Sequence, residues 1–473
     1  MTDTGDSEDD ELRAALTRVI QRLASEEPAG QRGTPMLPLL DAHFGQPADE
    51  LPVVLETVES HRSVDVDIAL EEVVALDPES RLVGIGGGDQ RHHSSLSDLM
   101  AQSGWGRFRQ GQVDRLNLAT GPDSERATVA FGLHLFTFGG SPVAVLQRAA
   151  NAQYHSPARL EVLAPTPEVA TALLTEVRER SLGASVLRGQ VITFSGNAYE
   201  HTMSGITFVR RPDLAADRVI LPAGTLDQVR AHVVGLAEHR DELRSRGQHL
   251  KRGVLLYGPP GTGKTHTVRH LIGAVPDTTV VLLSGTQMAF VSQAAQVARA
   301  HQPAIIVLED CDLIAEDRDH GHFGGGASPL LFTLLDAMDG LDADADVVFL
   351  LTTNRAEALE RALAQRPGRV DLAVEIPLPD ESARQALIGL YASEVGFSEG
   401  AVAAAATAAA GTTASYAKEL VRRAVLIAAM QGRDPEDSDL AAATDSLQHD
   451  SAALTRALLG GAGEDNYGPV TGR

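Results

Sequence analysis

One eight-residue run, Gly258-Pro259-Pro260-Gly261-Thr262-Gly263-Lys264-Thr265, constrains this chain more than any other feature. An apolar stretch ending at Tyr257 leads into it, and a helical pattern through Val268, Leu271 and Ile272 leads out. Strand, glycine loop and helix in that order make a phosphate cradle. The glycines let the backbone wrap a β-phosphate with its N–H groups, the helix N-terminus adds positive dipole, and the lysine neutralises β- and γ-oxygens. The segment from Gly258 to His266 is therefore the expected nucleotide contact, with Thr265 placed to hold Mg²⁺ through its hydroxyl. A second glycine-rich stretch, GIGGGDQ at 84–90, lacks the flanking pattern and reads as a flexible linker.

Around the cradle, strand-like runs at 253–257, 279–283, 304–308, 347–352 and 372–376 alternate with helical patterns. That rhythm predicts an α/β fold with a parallel sheet covered on both faces over 217–380. An Ala-rich helical lid follows over 381–456, then a loose tail over 457–473. The run Ile305-Ile306-Val307-Leu308 ends in Glu309 and Asp310. In P-loop NTPases the first such acid anchors the Mg²⁺ shell and the second polarises the attacking water. Here Glu precedes Asp, the reverse of the usual order, so the second acid is shorter by one methylene. Asn354 ends a further apolar strand, where doubly wound sheets bind ligands. Arg366 and Arg369, in Arg-Pro-Gly-Arg, offer two guanidiniums suited to transition-state charge on phosphate.

The other half of the chain has a different character. Residues 1–80 hold 19 Asp and Glu against 5 Arg, which is −14 of the −24 formal charge of the 473-residue chain. Such a surface disfavours nucleic acid, whose binding requires basic groups to displace counterions. Residues 1–105 read as an acidic, mostly helical region: a disordered tip over 1–10, a helix from Glu11, and further helices around 51–58 and 67–76. Residues 112–211 read as an α+β domain with a hairpin at Gly139-Gly140, and carry no catalytic motif. The single cysteine, Cys311, the absence of a leader-like start and the lack of any 18-residue apolar run point to a cytoplasmic chain without membrane insertion.

Taken together, GPPGTGKT, IIVLED, LLTTN and RPGR, in this order and spacing, resemble the AAA family of ring-forming ATPases over about residues 217–450. The segment VILPAGTLDQVRAHV (219–233), Arg252-Gly253 and the Glu-Asp order look most like the mitochondrial branch that translocates the Rieske protein, which hydrolyses ATP with that same order. The resemblance implies ATP and Mg²⁺ as cofactors, with Lys264 and Thr265 on phosphate and metal and Glu309 on Mg²⁺. It implies Asp310 activating water, Asn354 as first sensor, and Arg366 and Arg369 reaching into a neighbouring subunit of a homo-oligomeric ring of six or seven.

Three departures bear on mechanism. SYAKEL (415–420) stands where many relatives have Ser-Gly-Ala-Asp-Leu near adenine. Only 19 residues separate Leu283 from Pro303, and no aromatic-Val-Gly pore loop occurs there, Phe290 being the one aromatic. The glycine-rich stretch 317–328, with His320 and His322, reads as a solvated loop. The leading expectation is an ATPase that remodels or assembles a protein client; the alternatives are a nucleotide-controlled scaffold and, disfavoured by charge, a DNA-remodelling ATPase.

Overall fold

A computed structural model describes residues 33–103, 107–151, 156–195, 205–311, 329–340, 342, 344–355 and 369–458. The acidic tip, the helix expected from Glu11, the stretch 317–328, Arg366 and the tail beyond 458 lie outside them. The chain divides into two compact units, Met1–Arg210 and Arg211–Arg473.

In the first unit seven antiparallel strands form one sheet: β1 (Val53–Val58), β2 (Arg81–Gly86), β3 (Arg109–Gly111), β4 (Asp114–Gly121), β5 (Ser124–Phe138), β6 (Ser141–Arg148) and β7 (Ala158–Leu163). Their order is β1-β7-β6-β5-β2-β3, and β4 pairs with the first part of the long β5 while β2 pairs with its later part. Gly139 and Gly140, both at positive φ, make the tight turn between β5 and β6, a conformation that glycine adopts without steric cost.

The apolar residues of β6 go both ways. Val143 and Val145 pack with helices α1 (Ser63–Val74) and α2 (Pro167–Gly183), through Leu70, Val73, Leu173 and Val177. Ala144 and Leu146 pack on the opposite face with Met36, Leu40, Leu96, Leu99 and Phe108. Each fully buried side chain of this kind contributes about 1.5–3 kcal/mol relative to exposure, so a sheet covered on both faces needs no polar alternation.

Three expectations are corrected here. Where a helix was expected around 51–58, Val53–Val58 form strand β1, paired antiparallel with β7 from Val53↔Leu163 to Val58↔Ala158. The glycine-rich stretch 84–90 is no linker: Gly84, Ile85 and Gly86 are in β2, and Ile85 is fully buried. Nor does a boundary fall near 105, because β1 and β2 belong to the sheet completed by β4 to β7. β8 (Val191–Ser195) and β9 (Gly205–Val209) form an antiparallel pair close to where strands were expected.

One buried ion cluster ties a loop to this sheet. Glu161, 1 % exposed, accepts from the Leu96 backbone N–H at 2.6 Å and meets Arg159 at 3.0 Å and Arg148 at 3.5 Å. Arg148 also donates to the carbonyls of His92 and Ser94 and lies 4.7 Å from the centroid of the Phe131 ring. Burial pulls its guanidinium down to about 10, against the opposing charge of Glu161.

In the second unit five parallel strands run in the order β14-β10-β13-β12-β11: β10 (Arg252–Tyr257), β11 (Thr279–Ser284), β12 (Ala304–Glu309), β13 (Val347–Thr353) and β14 (Leu372–Glu375). Every residue of β13 is buried, the continuous apolar signature of a strand covered on both faces. Residues 381–458 then form four helices, α3 (Glu381–Tyr391), α4 (Glu399–Ala408), α5 (Ala414–Met430) and α6 (Asp437–Leu458). Asp380, Ser398 and Thr413 cap the first three through their side chains, and Leu387, Ile388, Ala406, Leu420, Ala424 and Leu440 make their core. Among the described residues no helix is long and apolar enough to cross a membrane.

Candidate nucleotide site

Strand β10 delivers the chain to the sheet's C-terminal edge, where the backbone turns through Gly258 (φ 140°), Gly261 (φ 75°) and Gly263 (φ 112°) into the helix Lys264–Gly273. A Cβ on Gly258 would stand 2.2 Å from the Ile376 carbonyl oxygen, so glycine is required both by φ and by space. Thr262 Oγ1 donates to the Pro259 carbonyl at 2.9 Å and closes the loop on itself. Lys264, 6 % exposed, donates from Nζ to the Gly258 and Pro259 carbonyls at 2.7 and 2.8 Å. The cation is thereby held across the mouth of the loop.

The ends of β12 and β13 lie beside it. Glu309 accepts a hydrogen bond from the Thr265 side chain, and burial, reinforced by the charge of Asp310, raises its carboxyl above the ordinary range. A half-buried carboxylate and a hydroxyl in contact, next to a second carboxylate, form a set of hard oxygen donors that fits Mg²⁺. Asp310 sits in the left-handed region at φ 56°, its N–H donating to Thr352 Oγ1 at 3.0 Å, while the Cys311 N–H donates to the Thr352 carbonyl at 2.9 Å. Thr352 thus fixes the turn that presents Asp310, a role the sequence pattern left unmarked.

These parts open on one cavity of about 380 Å³. Its walls include the loop from Pro260 to His266, Asp310 and Asn354, and, from the helical region, Tyr391, Ser415 and Lys418. Ser415 N–H donates to the Gly261 carbonyl at 3.1 Å, so SYAKEL does reach the loop despite its departure from the usual sequence. Arg218 to Leu221 complete the wall. Burial lowers the His266 imidazole, and Arg269, Lys418 and Arg218 lower it further, which keeps the ring neutral in a field of cations suited to a polyphosphate. Arg218, Tyr391 and Lys418 were not anticipated; only the proximity of Lys418 to Ser415 in SYAKEL pointed towards one of them.

Other expected residues lie elsewhere. Arg369 is 5 % exposed and paired through Nε and Nη2 with the Asp339 carboxylate, Nε at 2.9 Å. Within the chain, the Asp339 carboxylate claims the guanidinium that was expected to reach towards a neighbouring subunit. Phe290 is 1 % exposed and belongs to the core, so it is not a pore residue. Among the described residues no group of three or more His, Cys, Asp or Glu could hold a metal ion by itself.

The strand, glycine loop, acidic strand end and helical wall define a P-loop nucleotide-binding domain. Residues 254–378 match the family described as "ATPase family associated with various cellular activities (AAA)", so the chain carries an AAA domain on the P-loop parallel-sheet fold. It is similar to the ATP-dependent zinc metalloprotease FtsH 2 of Methylacidiphilum infernorum, at 32% identity over 46% of this chain and 37% of that protein. It is also similar to the 26S proteasome regulatory subunit 8 homolog of Naegleria fowleri (32%; 34% of this chain, 42% of the relative) and the subunit 6B homolog of Dictyostelium discoideum (35%; 34% and 42%). The chain spans less than half the length of these curated relatives. AAA domains bind ATP, typically with Mg²⁺, and AAA ATPases hydrolyse it.

Proposed function

We propose that this chain is an ATP-hydrolysing, ring-forming AAA ATPase that remodels or assembles a protein client. The observation that carries the reading is the convergence of the phosphate loop, Asp310, Asn354 and the helical wall on one cavity of about 380 Å³, with Glu309 hydrogen-bonded to Thr265 of that wall. The names of the relatives, proteasome regulatory subunits and an ATP-dependent protease, support a protein rather than a nucleic acid as client. In this reading residues 217–380 are the large subdomain, 381–456 the lid, and the first unit the part that meets the client.

In the proposed mechanism the loop N–H groups and Lys264 bind the β- and γ-phosphates, with Lys264 exchanging its two carbonyl partners for phosphate oxygens. Thr265 and Glu309 would hold Mg²⁺, which supplies positive charge against the charge that develops on the phosphate oxygens. Asp310 accepts the proton of the attacking water, and Asn354 orients that water. Ser415 couples phosphate occupancy to the lid through the Gly261 carbonyl. For Arg369 to serve a neighbouring site it must first leave Asp339, so ring assembly would exchange an internal ion pair for one across the interface. The Glu-Asp order supports kinship with the Rieske-translocating branch; the client of that branch is not carried over.

The pairing of Arg369 with Asp339 also favours a second reading, a scaffold whose assembly ATP controls and in which hydrolysis is incidental. Sizing the Asp310→Asn protein with and without ATP separates the two. A six- or seven-subunit ring trapped by ATP, together with turnover by the parent that Lys264→Ala abolishes, supports the motor. Assembly and client binding unchanged by Asp310→Asn support the scaffold. A protein that stays monomeric in both conditions refutes both.

A further inference from the structure

We propose that the free edge of β1 takes up an extended peptide with an apolar centre and basic ends, as an added strand of the first-unit sheet. The inference rests on the reading that the first unit meets the client, and it names the kind of segment that is met.

The edges of this sheet differ. At β3 the incoming chain closes the edge: Gln110 N–H donates to the Thr34 carbonyl at 2.8 Å and Met36 N–H to the Phe108 carbonyl at 3.2 Å. Strand β4 is interrupted by register shifts at Asp114/Arg115 and Ala119/Gly121. Charges, prolines, bulges and covering segments are the usual guards against unwanted strand pairing, and β1 lacks them among the described residues. Its register with β7 is unbroken from Val53 to Val58, and it contains no Lys, Arg or Pro. Such a strand offers a regular edge about 20 Å long.

The pairing fixes which groups face outward. Ala164 N–H donates to the Pro52 carbonyl, which makes these two a hydrogen-bonded pair. By alternation Val54, Glu56 and Val58 also bond to β7, and Val53, Leu55 and Thr57 direct their N–H and C=O groups away from it. Among the described residues none of these outward groups has a hydrogen-bond partner. Leu55, in the middle of the strand, is 52 % exposed. An added strand satisfies the backbone groups and covers this side chain at once, the economy of recognition by strand addition.

Charge selects the occupant. Asp49 and Glu50 are exposed before the strand and Glu59 just after it, with only the His61 imidazole beside Glu59 at 3.3 Å. The nearby guanidiniums are spent, Arg178 on Glu56 at 2.7 Å and Arg159 on Glu161 at 3.0 Å. A second copy of the chain would bring these acids against themselves. Residues 1–32 hold eight acidic against four basic side chains, so they carry the wrong sign too. A basic segment from another protein has the complementary charge.

The probe is a fluorophore-labelled eight-residue peptide of alternating threonine and valine with arginine at each end, titrated by anisotropy against the full chain without nucleotide. One control peptide has glutamate ends, and another is N-methylated at its four central residues, which removes backbone donors and keeps the side chains. Leu55→Lys is the variant, expected to melt like the parent because the site is exposed. Binding is expected at a Kd of about 10–100 µM, and at least about tenfold weaker for either control peptide and for Leu55→Lys. No binding at about 1 mM peptide, equal binding of either control, or equal binding by Leu55→Lys would overturn the proposal. So would self-association of the chain that Leu55→Lys abolishes, since the occupant would then be a second copy. Phosphate release is measured on the same preparation: turnover without peptide binding overturns this inference alone, and peptide binding without turnover overturns the motor reading alone.

Discussion

Replacing Asp310 separates its backbone role from its chemical one. At φ 56° the residue occupies the left-handed region, which costs an ordinary L-residue about 1–2 kcal/mol but is tolerated by Asp, Asn and Gly. Asn keeps the backbone preference and removes the charge; Ala removes both. Losing that charge also removes one of the causes that raise the Glu309 carboxyl, leaving burial as the main one. The nucleotide-free Asp310→Asn protein should therefore be at least as stable as the parent, and Asp310→Ala about 1 kcal/mol less stable than Asn, a difference of about 2–4 °C in Tm. Phosphate release should fall by about 10²–10⁴ in both, as expected when a positioned general base is lost. Thermal unfolding without nucleotide and steady-state phosphate release measure the two effects. An Asn variant turning over within about threefold of the parent would refute the assignment of Asp310 as base, and equal melting of Ala and Asn would refute the backbone argument.

Three further outcomes follow from the same geometry. Glu309 has a raised carboxyl, so the folded protein binds more protons than the unfolded chain between the ordinary and the raised value; stability falls as pH rises through that window, and the penalty is complete above it. Glu309→Gln should remove it, making the nucleotide-free protein as stable as the parent or more so at neutral pH but not at acidic pH, while abolishing Mg²⁺-dependent protection by ATP; pH-dependent melting with and without Mg²⁺ checks both. Glu161→Ala should cost about 3–5 kcal/mol by leaving two guanidiniums without their buried counter-charge, measurable by urea unfolding of the first-unit transition. Gly258→Ala, which places a Cβ 2.2 Å from the Ile376 carbonyl oxygen, should destabilise the second unit and weaken ATP binding, whereas Ala at Gly263, with open space around it but φ 112°, should strain the loop without that clash; paired melting curves distinguish them.

The second unit was legible because its strands are buried on both faces. Ile305 to Leu308 and Val348 to Leu351 are continuous apolar runs, and each is followed within three residues by a polar residue that lines the cavity, Asp310 or Asn354. The first unit was misread at β1 because Leu51, Val54, Leu55 and Val58 fall at helical spacing. Pro52 and the β-branched Val53, Val54, Thr57 and Val58 favour the strand that forms. The glycines at 84 and 86 concealed β2 for a similar reason, since glycine signals a turn unless a neighbouring backbone approaches closely. Contacts distant in sequence were beyond reach: nothing local in Arg-Pro-Gly-Arg announces that Asp339 will claim Arg369. Nor does Thr352 show that its hydroxyl and carbonyl hold the turn at Asp310.

Calorimetric titration of the chain with ATP and Mg²⁺, alongside Lys264→Ala, tests the central claim most directly. The account predicts saturable binding at about micromolar ATP, weakened about 10- to 100-fold when the two charge-assisted contacts of Lys264 are lost. No heat of binding at about 1 mM ATP, or equal affinity in the Lys264→Ala protein, would contradict it.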